Sequence, residues 1–123
     1  MLGGSYMLTK NQILINGKSS EQSVILFRDL VTNKLSKSKI YRAEVNYIKS
    51  KGMPNIDNPE DWPLQLYTED GVNISVYNVT AGYYGKGPDA TKTILELAGF
   101  SKRETMKVLY TMKDEVHCSF YKK

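Results

Sequence analysis

Cysteine and histidine each occur once in the 123 residues, as Cys118 and His117. A lone cysteine excludes an internal disulfide and a thiolate-rich metal site, and a lone histidine excludes a multi-histidine centre within one chain. No metal or cofactor is therefore expected. Long apolar runs are missing too: nothing approaches the roughly 18–20 residues of a bilayer span, and "MLGGSYMLTKNQ" lacks the apolar core of a secretory signal. These absences predict a cytoplasmic protein with no membrane partner. Nor is charge of one sign concentrated. The 17 basic and 13 acidic residues give a net charge of +4, and the lysines are scattered through "NKLSKSK", "IKSKG", "SKRE" and "YKK". A dedicated DNA-binding face needs a denser stripe, so nucleic acid is not the expected partner.

What remains is the composition of an ordinary folded domain, 41% hydrophobic and 24% charged, of a length that suits one core. Residues 1–123 are read as a single domain, with 1–10 as a flexible N-terminus. "NQILING" predicts a strand closed by an Asn16-Gly17 turn. "SVILFRDLV" is open: Ser19 three residues before Gln22 would start a helix, while the β-branched and aromatic content suits a buried strand. "KIYRAEVNYIKS" places Tyr41, Ala43, Val45 and Tyr47 at every second position, the pattern of a half-buried strand. The proline-rich "KGMPNIDNPEDWP" predicts a surface loop anchored by Trp62. Asp70-Gly71 between alternating apolar residues predicts a β-hairpin.

The clearest helix runs over about 88–98, with Pro88 in its first turn and Gly99 as its left-handed stop. Ser101 and Glu104 have capping-box spacing and predict a short helix. "KVLYTMKDEVHCSFYKK" then predicts strand, turn and strand, with Val116, Cys118 and Phe120 facing inward. The fold class expected is α+β: a mostly antiparallel sheet with one secure helix and one or two short ones.

The segment before that helix, "AGYYGKGPD", is where chemistry is concentrated. A glycine turn feeding a helix N-terminus offers unpaired N–H groups and a positive dipole end. Gly82, Gly85 and Gly87 would allow close approach to the backbone, Lys86 adds a cation, and Tyr83 or Tyr84 supplies a stacking face. The spacing is not that of a P-loop, which needs four residues before Gly-Lys and a Ser or Thr after it. Asp89, in the first turn, suits ribose hydroxyls or an amino group better than a phosphate. The competing account is purely structural: glycines for the turn, proline for the helix start, tyrosines for packing.

Elsewhere, Arg28 interrupts an apolar run and is either an ion-pair partner of Asp29 or a phosphate ligand; Arg103 carries the same two readings. His117 and Cys118 read as packing or surface residues, because no nucleophile–base context accompanies them. Carboxylates in "IDNPEDW" and "TEDG" sit in turns whose residue types the backbone explains. No catalytic residue is assigned, and an enzyme is not expected.

"GYYGKGPDATKTILELAGF" resembles the anti-Thoeris sponge proteins of phages in its Gly-Tyr turn, Gly-x-Gly-Pro and helix closing in Ala-Gly. The likeness covers about 20 of the 123 residues. It implies a sheet with a few helices, an oligomer of two or more chains with shared pockets, and capture of cyclic ADP-ribose signals without cleavage. Tyr84, Gly85, Gly87, Pro88 and Asp89 are the positions that match. The full set of expected ligand-binding residues is Tyr83, Tyr84, Gly85, Lys86, Gly87, Asp89, Arg28 and Arg103, the two arginines on chemical grounds alone. Two other functions stay open. A tyrosine-rich surface suits a protein–protein inhibitor or adaptor, which would lack a concave pocket beside Gly85. Scattered lysines and tyrosines suit a weak single-stranded nucleic-acid binder.

Overall fold

The structure, a computed structural model, describes residues 5–8 and 11–122. In chain order it contains β1 (Ser5–Leu8), β2 (Gln12–Asn16), α1 (Ser20–Asn33), β3 (Ile40–Ile48), β4 (Leu64–Thr68), β5 (Asn73–Val76), α2 (Lys86–Leu97), α3 (Lys102–Leu109) and β6 (Glu115–Tyr121). The fold is α+β. Its sheet has the order β1-β2-β5-β4-β3-β6, in which β2 and β5 are parallel and the other neighbours antiparallel. Of residues 1–10, expected as a flexible terminus, Ser5–Leu8 pair with β2; the others lie outside the described residues.

Two cross-strand rows build the core. One runs Ile13, Ile74, Leu66, Ala43, Phe120; the next runs Ile15, Val76, Leu64, Val45, Cys118. All but Cys118 are buried, and they join Phe27, Leu30, Ile94, Leu95 and Leu109 from the helices in one cluster. The period of two along each strand therefore places these rows on the helix-covered face. The opposite face carries Arg42, registered between Tyr67 and Tyr121, with its guanidinium 4.1 Å from the Tyr67 ring centre.

The open segment is a helix. Ser19 Oγ accepts from the Gln22 N–H at 3.1 Å, and Ser23, Leu26, Phe27 and Leu30 bury one face at helical spacing. Gly17 does not make a hairpin turn. The chain passes directly into α1, and a Cβ on Gly17 would lie 2.4 Å from the Ser23 nitrogen, so the glycine permits close packing of the helix start.

Tyr41 is exposed rather than inward, because the β3–β4 register shifts between Ile40 and Arg42 and hands the core position to Ile40. The 51–63 loop is held as expected: Trp62 is buried, packs on Tyr77 at 5.1 Å between ring centres, and Tyr77 donates to the Pro54 carbonyl at 2.8 Å. The Asp70-Gly71 hairpin joins β4 to β5, with Gly71 at φ 87°.

Near the C-terminal half one boundary shifts and one prediction needs correction. The helix begins at Lys86 with Gly85 as its cap, so Pro88 is its third residue; proline is tolerated throughout a first turn. "KVLYTM" is not a strand. Ser101 Oγ caps the Glu104 N–H at 3.3 Å, and Thr105 and Leu109, four apart, bury the face of α3. Met112, at φ 58°, lies between that helix and β6.

Candidate functional site

Two helical stripes face one another. Glu21, Val24, Ile25 and Arg28 on α1, and Lys86, Asp89, Ala90 and Thr93 on α2, both follow the i, i+3, i+4, i+7 spacing, and together they line a cavity of about 400 Å³. On α1 this stripe is distinct from the core face through Leu26, Phe27 and Leu30. Valine, isoleucine and alanine make the apolar part; four exposed charged side chains surround it.

Lys86 Nζ lies 3.8 Å from Glu21 Oε1, and both side chains remain largely in solvent. Asp29, the neighbour of Arg28, accepts from Asn33 Nδ2 at 2.6 Å. Arg28 lines the cavity.

Asp89 accepts a hydrogen bond from the Tyr110 hydroxyl. Tyr110 follows α3 directly, and its ring stacks on Tyr84 with centres 5.0 Å apart and planes 15° from parallel. Tyr84 is nonetheless 71% exposed, so one face of its ring is open. Burial, the Asp89 hydrogen bond and the Asp89 charge together push the Tyr110 hydroxyl well above its usual range.

The other expected residues divide. Gly85 is the helix cap and provides no side-chain hydrogen bond there, leaving the first N–H groups of α2 without a side-chain cap. Tyr83 is half-buried and receives a hydrogen bond from Thr80 Oγ1 at 2.7 Å. Gly87 is buried, and a Cβ on it would fall 1.9 Å from that Thr80 oxygen. A Cβ on Gly82 would meet the Lys113 carbonyl at 2.4 Å. The expectation that these glycines open the backbone to a ligand is corrected for Gly82 and Gly87, since the protein's own chain fills the space. Arg103 lies exposed in the first turn of α3 and does not line the cavity.

The structure thus brings Arg28, Lys86 and Asp89 together, with Tyr84 joined through Tyr110. Sequence reasoning missed Glu21, Thr93 and Tyr110. The α1 stripe was legible only once residues 20–33 were known to be helical, and Tyr110 was hidden by the strand reading of its segment.

His117 is exposed, with Nδ1 2.9 Å from Asn46 Oδ1 and Nε2 3.5 Å from Glu115. Burial raises the Cys118 thiol, which keeps it from being an activated nucleophile. Among the described residues no three His, Cys, Asp or Glu side chains gather as a metal site, and no helix is long and apolar enough to cross a membrane. No protein-family model, curated protein or solved structure matches the chain.

Proposed function

We propose that this protein binds a phosphate-bearing nucleotide signal in the α1–α2 cavity and holds it without turnover. The observation that carries the reading is the convergence of Arg28, Lys86 and Asp89 on one cavity of about 400 Å³, with Tyr84, which does not line it, tied to Asp89 through Tyr110. Arg28 and Lys86 suit a pyrophosphate. Asp89 suits ribose hydroxyls or an amino group, and Tyr84 suits a base. A concave site beside Gly85 favours this over the adaptor reading. Asp89, already engaged by a hydroxyl, is better arranged to hold a ligand than to shuttle a proton.

The anti-Thoeris resemblance supports a cyclic ADP-ribose type nucleotide as the ligand, glycocyclic ADP-ribose in particular. Captured in the host cytoplasm by a phage protein, it would fall below the concentration its immune effector needs, countering bacterial TIR-based defence. Charge-assisted contacts contribute about 1.5–3 kcal/mol each and a stacked base about 1–3. Two such contacts and one stack sum to at most about 9 kcal/mol, well short of nanomolar affinity. A sponge needs tighter capture, so we propose a homo-oligomer in which a neighbouring chain closes the open side of the cavity.

Isothermal titration with cyclic ADP-ribose isomers tests this. Wild type should bind one isomer, and Arg28→Ala or Lys86→Ala should each weaken binding at least about tenfold. Absence of heat with every isomer at sub-millimolar concentration overturns the reading.

A further inference from the structure

Asp89 belongs to two arrangements at once. It lines the cavity with Lys86 and Arg28, and it accepts the Tyr110 hydroxyl from beyond the end of α3. The same Tyr110 ring backs Tyr84 at 5.0 Å and 15°. One side chain, 21 residues from Asp89 in sequence, therefore touches both the carboxylate and the aromatic platform of the nucleotide site.

An unsupported aspartate at this position has other choices. It can rotate into solvent, or turn toward the first N–H groups of α2, which have no side-chain cap. Either would remove it as a hydroxyl acceptor. The Tyr110 hydrogen bond occupies Oδ1 and restrains the group, leaving Oδ2 for a ligand donor. The stack meanwhile restricts Tyr84, which is otherwise 71% exposed and would sample several rotamers.

We infer that Tyr110 is a positioning residue that sets selectivity for the nucleoside part of the ligand, fixing Asp89 through its hydroxyl and Tyr84 through its ring. The inference rests on the nucleotide reading of the cavity. Its prediction is a division of labour: Arg28 and Lys86 recognise pyrophosphate whether or not Tyr110 is intact, and the nucleoside is recognised only when it is.

The test titrates wild type, Tyr110→Phe and Tyr110→Leu with two probes, glycocyclic ADP-ribose and inorganic pyrophosphate, and follows each variant's melting temperature. Tyr110→Phe keeps the ring and loses the hydroxyl; it should weaken the nucleotide about tenfold and leave pyrophosphate unchanged. Tyr110→Leu, which also removes the stack, should weaken the nucleotide about a hundredfold, again sparing pyrophosphate. Asp89→Asn combined with Tyr110→Phe should cost little more than Asp89→Asn alone, since the Tyr110 hydroxyl acts through the Asp89 carboxylate.

Unchanged nucleotide affinity in a Tyr110→Phe variant with a lowered melting temperature makes Tyr110 a staple between helices and overturns the inference while the nucleotide site stands. Equal weakening of both probes overturns it as well. Wild type that binds pyrophosphate alone removes the nucleoside selectivity. Wild type that binds neither probe overturns the nucleotide reading and this inference with it.

Discussion

Glu21 and Lys86 approach to 3.8 Å from opposite helices that line the cavity. The pair is largely exposed and contributes little to stability. For the proposed anionic ligand its expected effect is on binding, because Glu21 would compete with the anion for the Lys86 ammonium.

Glu21→Gln should therefore strengthen binding of a nucleotide or of pyrophosphate by about two- to fivefold at low salt, with the gain shrinking as ionic strength rises. Titration at two salt concentrations checks this. The melting temperature should stay within error of wild type.

Gly87→Ala should destabilise the fold by about 1–3 kcal/mol, because its Cβ would overlap Thr80 Oγ1, 1.9 Å away, within a packed junction. The penalty should be smaller in a Thr80→Ala background, where that oxygen is gone. Gly85→Ala, whose Cβ would come no closer than 3.0 Å to the Tyr83 ring, should cost much less. Urea unfolding of the variants ranks the three.

Gln65 is buried and makes four hydrogen bonds: it donates to the Pro59 and Trp62 carbonyls at 2.7 and 3.1 Å and accepts from Ser75 and Asn73 at 2.6 and 3.0 Å. Gln65→Leu keeps volume but strands these partners. A loss of about 2–4 kcal/mol is expected. Limited proteolysis should show new cleavage in the 51–63 loop, whose end Gln65 holds.

Stability should decline above about pH 10, and tyrosines set the sign. Tyr47, Tyr67 and Tyr110 all have hydroxyls raised above the ordinary value of 10.0, Tyr47 and Tyr67 chiefly by burial and Tyr110 by burial and Asp89. A raised folded value means that the unfolded chain releases these protons first. The stabilisation is complete below pH 10 and is lost as pH rises toward the folded values. Melting curves from pH 8 to 11 should show the decline, and Tyr110→Phe should make it shallower.

Asp70 gives the acid counterpart. The Thr68 hydroxyl, 2.5 Å away, is the main cause that lowers its carboxyl below 3.8, with Lys39 assisting. A lowered folded value contributes stability above the unfolded value, which disappears as pH falls. Asp70→Asn should melt below wild type at pH 7, and the difference should close as the pH falls below 3.8 toward 2.

Much of the architecture was legible because local chemistry agreed with tertiary demand. The Asp70-Gly71 hairpin, the Ser101 cap, the Gly99 stop, the Trp62 anchor and the inward alternation of β6 each rest on residues near one another in sequence. Where a segment satisfied two periods, packing decided. Residues 23–31 suit either element until Ser23, Leu26, Phe27 and Leu30 meet the sheet. Tyr41 gave way to Ile40 because a register shift is a property of the strand pair and not of one strand.

By itself the sequence determined the α+β class, the chemistry concentrated at "GYYGKGPD", and the exclusion of disulfide, multi-histidine and P-loop sites, since all of these follow from residue types and short spacings. The tertiary structure alone decided which of those residues share a site. Arg28 is 58 residues from Lys86, and Tyr110 is 26 from Tyr84; only helix packing brings them together. It also decided what the glycines do, because a missing Cβ reads the same in sequence whether a ligand or the Thr80 side chain occupies its place.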